Sequence, residues 1–454
     1  MKRKFNLSLG LIILSSLFTS VSGSEPIAMQ EGDKSVQSYF DSYLTGNKTA
    51  FKSSEKVKLS KIDELQQFVW SQWQNSNNSL QEQKLIDLRP LEEGNSSSWE
   101  LPQELEKDAV MPYYFGFKGE MPEAGYPLFL YIHGSGPKAS EWATGLKLGN
   151  KFEDGPSAYF IPQIPNENSY RWYQKSKQYA WERLIRLTFI REDFDANRFY
   201  LFGISEGGYG GQRLASFYAD YLAGAGPMAA GEPLRNAPVE NCSNTAFSLL
   251  TGGDDTGYGR NELTQITKNE FQKFQDQNPG EFDHRIELIP GKGHSIDYSP
   301  TTIWLKEKTR NPYPTHFIWE NFEMDGIYRD GFYNLYVVER SNDNEESRAR
   351  YTFNSENNII NLDVDLVTYE VTERNKWGIE TLYNKTYKPA TKGKVIIYLN
   401  SELVDLSKKI TININGKTKF SGKVKPTLEA MVNSCAAYYD PERVYPVAIE
   451  LDVE

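Results

Sequence analysis

Cysteine and histidine are both scarce in this sequence. Two cysteines and four histidines occur in 454 residues. Two cysteines exclude a disulfide-stapled scaffold and a cysteine zinc cluster. The sequence also lacks a His-x-x-x-His pair, an acidic calcium-binding loop, a phosphate-binding loop and a dinucleotide-binding glycine motif. It therefore predicts neither a metal nor a cofactor.

Basic residues are outnumbered by acidic residues. The chain has 50 Lys and Arg against 61 Asp and Glu, which gives a net charge of −11. A chain with this balance carries no general footprint for nucleic acid or for an anionic membrane. Hydrophobic residues make up 39% of the chain and aromatic residues 13%, a composition typical of a globular protein.

Long hydrophobic runs are absent after the N-terminus. Lys2, Arg3 and Lys4 precede an apolar stretch at residues 7–18, and small residues follow at 21–23. This order predicts a signal peptide at residues 1–23, with an uncleaved anchor as the alternative. No later run approaches the roughly 18 apolar residues that a membrane helix needs. We therefore expect an exported protein, either periplasmic or secreted, with no transmembrane anchor once the signal is removed.

The pattern of apolar residues divides the remaining chain into three segments. Residues 24–107 are polar and partly helical: residues 61–73 have helical spacing, whereas 75–79 and 95–98 are predicted loops. Residues 108–311 alternate short apolar runs with helical segments, which predicts an α/β domain with a mostly parallel sheet. Residues 312–454 contain alternating strands and an Asn-Gly hairpin turn, which predict an antiparallel β module resembling a sandwich. The apolar runs of the middle segment are 126–132, 158–164, 198–203, 222–228, 246–251 and 285–290.

A candidate nucleophile lies between a strand and a helix. Ser205 is the centre of Gly203-Ile-Ser-Glu-Gly207, which follows the run 198–203 and precedes a helical segment. A serine on such a sharp turn projects its hydroxyl above the sheet, and glycines two residues away on each side avoid a collision. The alternative is an ordinary glycine-rich turn between a strand and a helix.

The best candidate for a general base is His294. It lies in Gly-Lys-Gly-His directly after the run 285–290, where an α/β fold places functional residues. His133 precedes the nucleophile and is expected to shape a turn. His284 begins a strand, and His316 lies in the β module, so both are expected to be structural.

A carboxylate that orients the base is expected from Asp254 or Asp255. Both follow the run 246–251 and lie between Ser205 and His294 in the chain. We favour Asp255 because the acid usually lies a few residues past its strand; the alternative is a turn or a helix cap.

Backbone donors and a binding loop complete the predicted site. The backbone N–H of Glu206 is one expected oxyanion donor, and Ser135 or Gly136 supplies the second from the turn after residues 126–132. Tyr170, Arg171 and Trp172 are candidates for substrate binding, since an arginine among aromatic rings can grip a carboxylate or stack on a sugar. The alternative is a surface loop packed by its own aromatic residues.

Residues 108–310 resemble the α/β-hydrolase superfamily, in its esterase and prolyl-oligopeptidase-like branch. The resemblance rests on His-Gly-Ser-Gly at 133–136, the segment 195–208 around Ser205, Gly-Gly-Asp-Asp at 252–255 and Gly-Lys-Gly-His at 291–294. The mature chain also resembles exported bacterial hydrolases with a C-terminal β domain. The resemblance implies an eight-stranded sheet and hydrolysis through an acyl-enzyme. We do not expect a complete prolyl-oligopeptidase architecture, because residues 24–107 show no β-propeller pattern.

These features favour a serine hydrolase that cleaves small-molecule esters, including carbohydrate-linked ones. The first alternative is a serine peptidase of the same fold, in which Glu232 could recognise a free amino terminus. The second is an inert binding or scaffold protein. The sequence leaves open the oligomeric state and whether Cys242 and Cys435 form a disulfide.

Overall fold

The centre of the structure, a computed structural model that describes residues 29–342 and 347–454, is a mostly parallel β-sheet. The predicted signal peptide at residues 1–23 lies outside the described residues. The strands of this sheet are β1 (Arg89–Pro90), β2 (Ser96–Glu100), β3 (Val110–Lys118), β4 (Tyr126–Ile132), β5 (Ser157–Pro162), β6 (Phe194–Ile204), β7 (Gly224–Met228), β8 (Ala246–Gly252) and β9 (His284–Ile289).

The strand order is β1-β3-β5-β4-β6-β7-β8-β9, and β2 pairs with β3. Strands β5, β4, β6, β7, β8 and β9 are all parallel to their neighbours in this list. Strand β3 is antiparallel to β2 and β5. The resemblance implied eight strands, whereas this sheet has nine, because the two-residue strand β1 adds to its edge.

Helices cover both faces of the sheet. The helices are α1 (Met29–Leu44), α2 (Ile62–Ser79), α3 (Lys138–Lys151), α4 (Lys175–Phe189), α5 (Glu206–Phe217), α6 (Arg260–Gln277), α7 (Ser299–Leu305) and α8 (Leu428–Tyr438).

Strand β4 shows how side chains divide between the two faces. Leu128 and Leu130 lie in the core that includes α4, α5 and α6, whereas Phe129 and Tyr131 lie in the core beneath α3 and α7. Successive strand residues point to opposite faces, so a strand buried on both faces must be apolar throughout. All seven residues of β4 are buried.

The C-terminal region consists of two sheets that share one hydrophobic core. One sheet has the order β10-β13-β14-β17-β18 with β15 paired to β14, and the other has the order β11-β12-β16-β19. The pairing is antiparallel as predicted, except that β14 and β17 are parallel. The strands are β10 (His316–Asn321), β11 (Gly331–Phe332), β12 (Leu335–Glu339), β13 (Ser347–Glu356), β14 (Ile359–Arg374), β15 (Glu380–Pro389), β16 (Lys394–Leu399), β17 (Lys409–Ile414), β18 (Lys417–Lys423) and β19 (Val447–Asp452).

The N-terminal helices pack against the end of the chain. Helix α2 contacts both α1 and α8, and Phe40 meets Trp73 edge-on within the main core. The loops predicted at residues 75–79 and 95–98 are both wrong, because α2 continues to Ser79 and β2 begins at Ser96. The last turns of α2 are stabilised by side chains, including the Asn77 amide, which donates to the Trp73 carbonyl at 2.8 Å.

In the described part of the chain, no helix combines the length and apolar character needed to cross a bilayer.

A buried network of charged residues joins the central sheet layer to the C-terminal region. Asp220 accepts hydrogen bonds from Arg329 and Arg443, and Asp440 accepts from Arg310 at 2.6 Å and from Arg443 at 2.8 Å. Burial opposes ionisation of both carboxyl groups, but the arginines outweigh it and hold the pKa of Asp220 and of Asp440 below its usual value. Each carboxylate therefore stabilises the fold in its charged form.

We predict that Asp440→Asn lowers the free energy of unfolding by about 3–5 kcal/mol at neutral pH, since it leaves Arg310 and Arg443 as underpaired buried charges. A depressed folded-state pKa gives stability that is present above the unfolded pKa of about 3.9 and is lost as the pH falls through the folded value. Wild-type stability should thus fall on acidification below about pH 4, and the variant should show a shallower fall. Denaturant titrations from pH 2 to 7 measure both effects.

The exposed Asp363 provides a matched control on β14. Asp363→Asn should change neither the free energy of unfolding at neutral pH nor its dependence on pH by a comparable amount. Equal stability of the Asp440→Asn and Asp363→Asn proteins would contradict the role given to the buried network.

Candidate active site

Ser205 occupies a strained turn between β6 and α5. Its backbone has φ 57° and ψ −115°, a positive φ that side-chain-bearing residues rarely adopt. Its N–H donates to the Met228 carbonyl at 2.9 Å, which fixes the turn against β7. A Cβ on Gly203 would lie 2.2 Å from the Gly207 carbonyl oxygen, and one on Gly207 would lie 2.1 Å from the Ile132 oxygen. Only glycine fits at these two positions.

Three predicted side chains meet at the carboxyl edge of the sheet. The Ser205 Oγ lies 2.9 Å from His294 Nε2, and His294 Nδ1 lies 2.7 Å from Asp255 Oδ2. A carboxylate accepts only, so Nδ1 carries the proton of the neutral ring and Nε2 is left to accept from the serine hydroxyl. Asp255 is buried, whereas Asp254 is exposed and its N–H is bonded to the Lys292 carbonyl. Of the two candidate acids, Asp255 contacts the imidazole.

Arg260 is a further residue of this cluster, and the sequence analysis missed it. Its Nε donates to Asp255 Oδ2 at 2.9 Å, and its Nη2 lies 2.8 Å from Asp255 Oδ1. Burial opposes ionisation of Asp255, but hydrogen bonds from Arg260 and His294 outweigh it and lower the pKa of the carboxyl group. Arg260 also donates to the Tyr209 hydroxyl at 3.3 Å. Its position as the first residue of α6, just after the acid-bearing loop, was the available sequence signal.

The turn after β4 lies directly beside Ser205. A Cβ on Gly134 would lie 3.4 Å from the Ser205 Cβ. The His133 ring is held on both sides: Nε2 accepts from the Ile164 N–H at 3.1 Å, so Nδ1 donates to the Gly134 carbonyl at 2.7 Å. Burial lowers the pKa of His133 to about 4, against a smaller opposing effect of the Gly134 hydrogen bond. His133 is therefore neutral at pH 7 and shapes the turn.

The predicted binding loop divides between the interior and the surface. Trp172 is fully buried, and its indole N–H donates to the His133 carbonyl at 3.0 Å. This position corrects the expectation that Trp172 contacts substrate, because its ring packs behind the turn. Tyr170 is partly buried, and its hydroxyl donates to the Gly136 carbonyl.

Arg171 and Glu206 form an ion pair at the mouth of the site. Arg171 Nη1 lies 3.0 Å from Glu206 Oε1, and the Arg171 side chain remains 54% exposed. Burial is the main cause that raises the pKa of Glu206, and Arg171 partly offsets it. Arg171 therefore presents a positive group to solvent next to Glu206, the residue that follows Ser205.

The remaining histidines and the cysteines lie away from Ser205. His284 Nδ1 lies 2.8 Å from the Phe282 carbonyl, and His316 Nδ1 lies 2.7 Å from Glu281 Oε1. Cys242 and Cys435 are both buried and are not joined in a disulfide. In the ranges that the structure covers, no group of three His, Cys, Asp or Glu side chains could hold a metal ion.

Comparison with known proteins finds similarity in solved structures alone. No family model and no curated protein sequence matches the chain. A thermostable esterase is 20% identical, with 48% of this chain and 64% of that chain covered, at a TM-score of 0.38. The poly(3-hydroxybutyrate) depolymerase LpqC of Bordetella parapertussis is 14% identical over 48% of this chain and 90% of its own, at 0.37.

The fluorophosphonate-binding serine hydrolase FphF of Staphylococcus aureus is 13% identical over 46% of this chain and 97% of its own, with a TM-score of 0.35. These neighbours are esterases and serine hydrolases of the α/β-hydrolase type. Similarity at this level establishes no activity for this chain.

We predict that Gly207→Ala lowers the free energy of unfolding by about 1–3 kcal/mol, because the new methyl group would collide with the Ile132 carbonyl. Helix propensity alone predicts the opposite sign, since alanine in a helix is favoured over glycine by roughly 0.5–1 kcal/mol. The free energy of unfolding, measured by denaturant titration, distinguishes the steric effect from the effect of helix propensity. The control is Gly94→Ala, where nothing lies within 4 Å of the added atom; a Gly207→Ala protein at least as stable as this control would contradict the steric argument.

Proposed function

We propose that the protein is a serine hydrolase that cleaves carboxylic esters through an acyl-enzyme intermediate. Ser205 is the nucleophile, His294 the general base and Asp255 the residue that orients the base. The observation that supports this most directly is the continuous hydrogen-bonded chain Ser205–His294–Asp255, with distances of 2.9 and 2.7 Å. In a serine triad, the acceptor nitrogen takes the proton of the hydroxyl and the carboxylate orients the imidazole.

The proposed reaction has two steps that share one base. The Ser205 Oγ attacks the ester carbonyl carbon while its proton moves to His294 Nε2, and the carbonyl oxygen becomes an oxyanion. The oxyanion collapses, the bond to the alcohol oxygen breaks, and His294 returns the proton to the departing alcohol. Water then attacks the acyl-enzyme by the same route, which releases the carboxylic acid and restores Ser205.

Two backbone N–H groups are proposed to hold the oxyanion. Glu206 begins α5, and the first N–H groups of a helix have no partner within the helix. The second comes from the turn at 134–136. The C=O and N–H of one peptide plane point in opposite directions, so the hydrogen bond that His133 makes to the Gly134 carbonyl turns the Ser135 N–H away from the imidazole. This favours Ser135 over Gly136 as the donor.

One observation disfavours a peptidase that recognises a free amino terminus. Peptidase activity directed at a free amino terminus would need an unpaired carboxylate, and Glu232 was the candidate. Its two oxygens accept from Arg213 at 2.7 and 2.9 Å, and Asn236 donates to it at 3.0 Å. Since these donors already satisfy the buried carboxylate, Glu232 serves packing rather than recognition of an amine. Peptide cleavage and an inert scaffold remain as alternative outcomes of the test below.

The substrate is proposed to enter past Tyr170 and Arg171, which lie on the solvent side of the turn that Trp172 supports. A carboxylate or another acceptor on the substrate could bond the exposed face of Arg171. Export to the periplasm or medium, and the domain limits near residues 108 and 312, remain predictions from the sequence.

We predict that Ser205→Ala lowers kcat on short-chain aryl esters by about 10³-fold or more. The variant should also lose covalent labelling by a fluorophosphonate, because the nucleophilic oxygen is gone. Ser140→Ala removes an exposed hydroxyl at the start of α3 and should keep both activity and labelling.

Labelling at a residue other than Ser205, or turnover retained in the Ser205→Ala protein, would reject the nucleophile. Cleavage of peptides but not of aryl esters by the wild-type protein would replace the esterase by the peptidase. No labelling and no turnover of either substrate class would leave the inert scaffold.

A further inference from the structure

A long hairpin from the C-terminal region reaches the catalytic edge of the central sheet. Its strands β14 and β15 have 16 and 10 residues. Near its end, Glu380 lies 3.9 Å from Arg235, which follows β7, and the tip at residues 375–379 meets Tyr258, which follows β8. Parallel strands place their carboxyl ends at one edge, so the hairpin tip and Ser205 lie on the same side of the sheet.

The tip is held in one position by close polar contacts. The Asn375 Oδ1 accepts from the N–H groups of Trp377 at 3.0 Å and Ile379 at 3.1 Å, which fixes the turn itself. A Cβ on Gly259 would lie 2.3 Å from the Asn375 Nδ2, so the tip approaches as closely as a glycine allows. The loop before α6 and the hairpin tip are thus fitted to each other.

Two aromatic rings face solvent where the hairpin meets this loop. Trp377 is 50% exposed and Tyr258 is 58% exposed. Their ring centroids are 5.3 Å apart with an interplanar angle of 40°. Exposed aromatic rings that pack together across two chain segments are typical of binding surfaces, because each exposes apolar area to water at a free-energy cost.

The ring pair is connected to the catalytic cluster through Arg260. The Arg260 guanidinium lies 5.6 Å from the centre of the Tyr258 ring and holds Asp255 with two hydrogen bonds. Tyr258 is three residues from Asp255 in the chain, so the rings lie at the rim of the site and not on a remote surface. A substrate bound at Ser205 that extends past the acid-bearing loop would reach them.

We propose that Trp377 and Tyr258 form a platform on which a sugar ring of the substrate stacks, beyond the ester bond that is cleaved. This proposal rests on the proposed esterase function and names its substrate class as acylated oligosaccharides. The platform is open and covers one face of a ligand. A pyranose suits such a surface because its C–H face is apolar, whereas its hydroxyl-bearing edges must stay hydrated or find hydrogen-bond partners.

The surroundings of the two rings favour a hydroxylated ring over a flat apolar one. The amide of Asn375, the carboxylate of Glu262 and the ammonium of Lys376 border the rings. These groups offer donors and acceptors for hydroxyls, and about half of each ring is exposed to solvent. A purely aromatic leaving group would gain more from an enclosed pocket.

The test compares four acetate esters: 4-methylumbelliferyl acetate, 2-naphthyl acetate, partially acetylated cellotetraose and partially acetylated xylotetraose. We expect Trp377→Ala to lower kcat/KM on the acetylated tetraoses by about tenfold, mainly through KM, because stacking on an exposed ring contributes binding. The two aryl acetates should change less than about twofold. The matched control is Tyr387→Ala, which removes an equally exposed ring on β15 roughly 20 Å farther from the tip.

A second measurement does not depend on turnover. Calorimetric titration of the wild-type protein with unacetylated cellotetraose, xylotetraose and chitotetraose should show binding to at least one, and Trp377→Ala should weaken it about tenfold. Binding without turnover of any ester would uphold the platform and reject the esterase. Ester turnover with no tetraose binding, an equal loss on all substrates, or a loss confined to 2-naphthyl acetate would overturn the sugar platform.

Discussion

The strained backbone at Ser205 is the constraint on which the site depends. A positive φ at a residue with a side chain costs about 1–3 kcal/mol and persists only where the surroundings impose it. Here the two flanking glycines let β6, α5 and the β4 turn approach within contact distance, and the Ser205 N–H is bonded to β7. The strained backbone conformation directs the Ser205 hydroxyl toward the carboxyl edge of the sheet. His294 and Asp255 reach the same point because β8 and β9 are parallel to β6 and end at the same edge.

The hairpin that carries Trp377 is anchored at its middle as well as at its tip. Lys385 on β15 lies 2.6 Å from Glu240 and 3.5 Å from Glu320, and all three side chains are largely buried. The two carboxylates outweigh burial and raise the pKa of Lys385, so the ammonium stays charged. A shift of β15 along the sheet would separate Lys385 from these carboxylates and leave buried charges unpaired, so such a shift is unfavourable. The C-terminal region is thus placed relative to the sheet edge that carries Ser205 by charge as well as by packing.

The sequence predicted the features that local pattern determines. Continuous apolar runs identified the strands around Ser205. The two glycines were identified from the Gly-x-Ser-x-Gly pattern, and the structure gives the reason for each: Gly203 contacts Gly207 within the same turn, whereas Gly207 contacts Ile132 of the neighbouring β4. The order of serine, acid and histidine then limited the candidates to Asp254, Asp255 and His294. The sequence did not predict the contact between Arg260 and Asp255, because that contact depends on the direction in which α6 begins after the preceding loop. Trp172 was predicted to bind substrate but is buried behind its loop. The sequence cannot distinguish the two positions, because the same residue type can line a cleft or pack beneath it.

The neutral state of His133 links the packing of the core to the electrostatics of the turn that is proposed to hold the oxyanion. Its ring lies 5.0 Å from the Trp172 ring, nearly perpendicular to it, in a place that burial makes unfavourable for a charged imidazole. A neutral ring with Nδ1 as donor and Nε2 as acceptor has one arrangement that satisfies both Gly134 and Ile164. Protonation would leave Nε2–H opposed to the Ile164 N–H, so the turn and its backbone donors would lose their support. Preorganised donors stabilise developing charge because they need no rearrangement during the reaction, and the buried imidazole maintains that order.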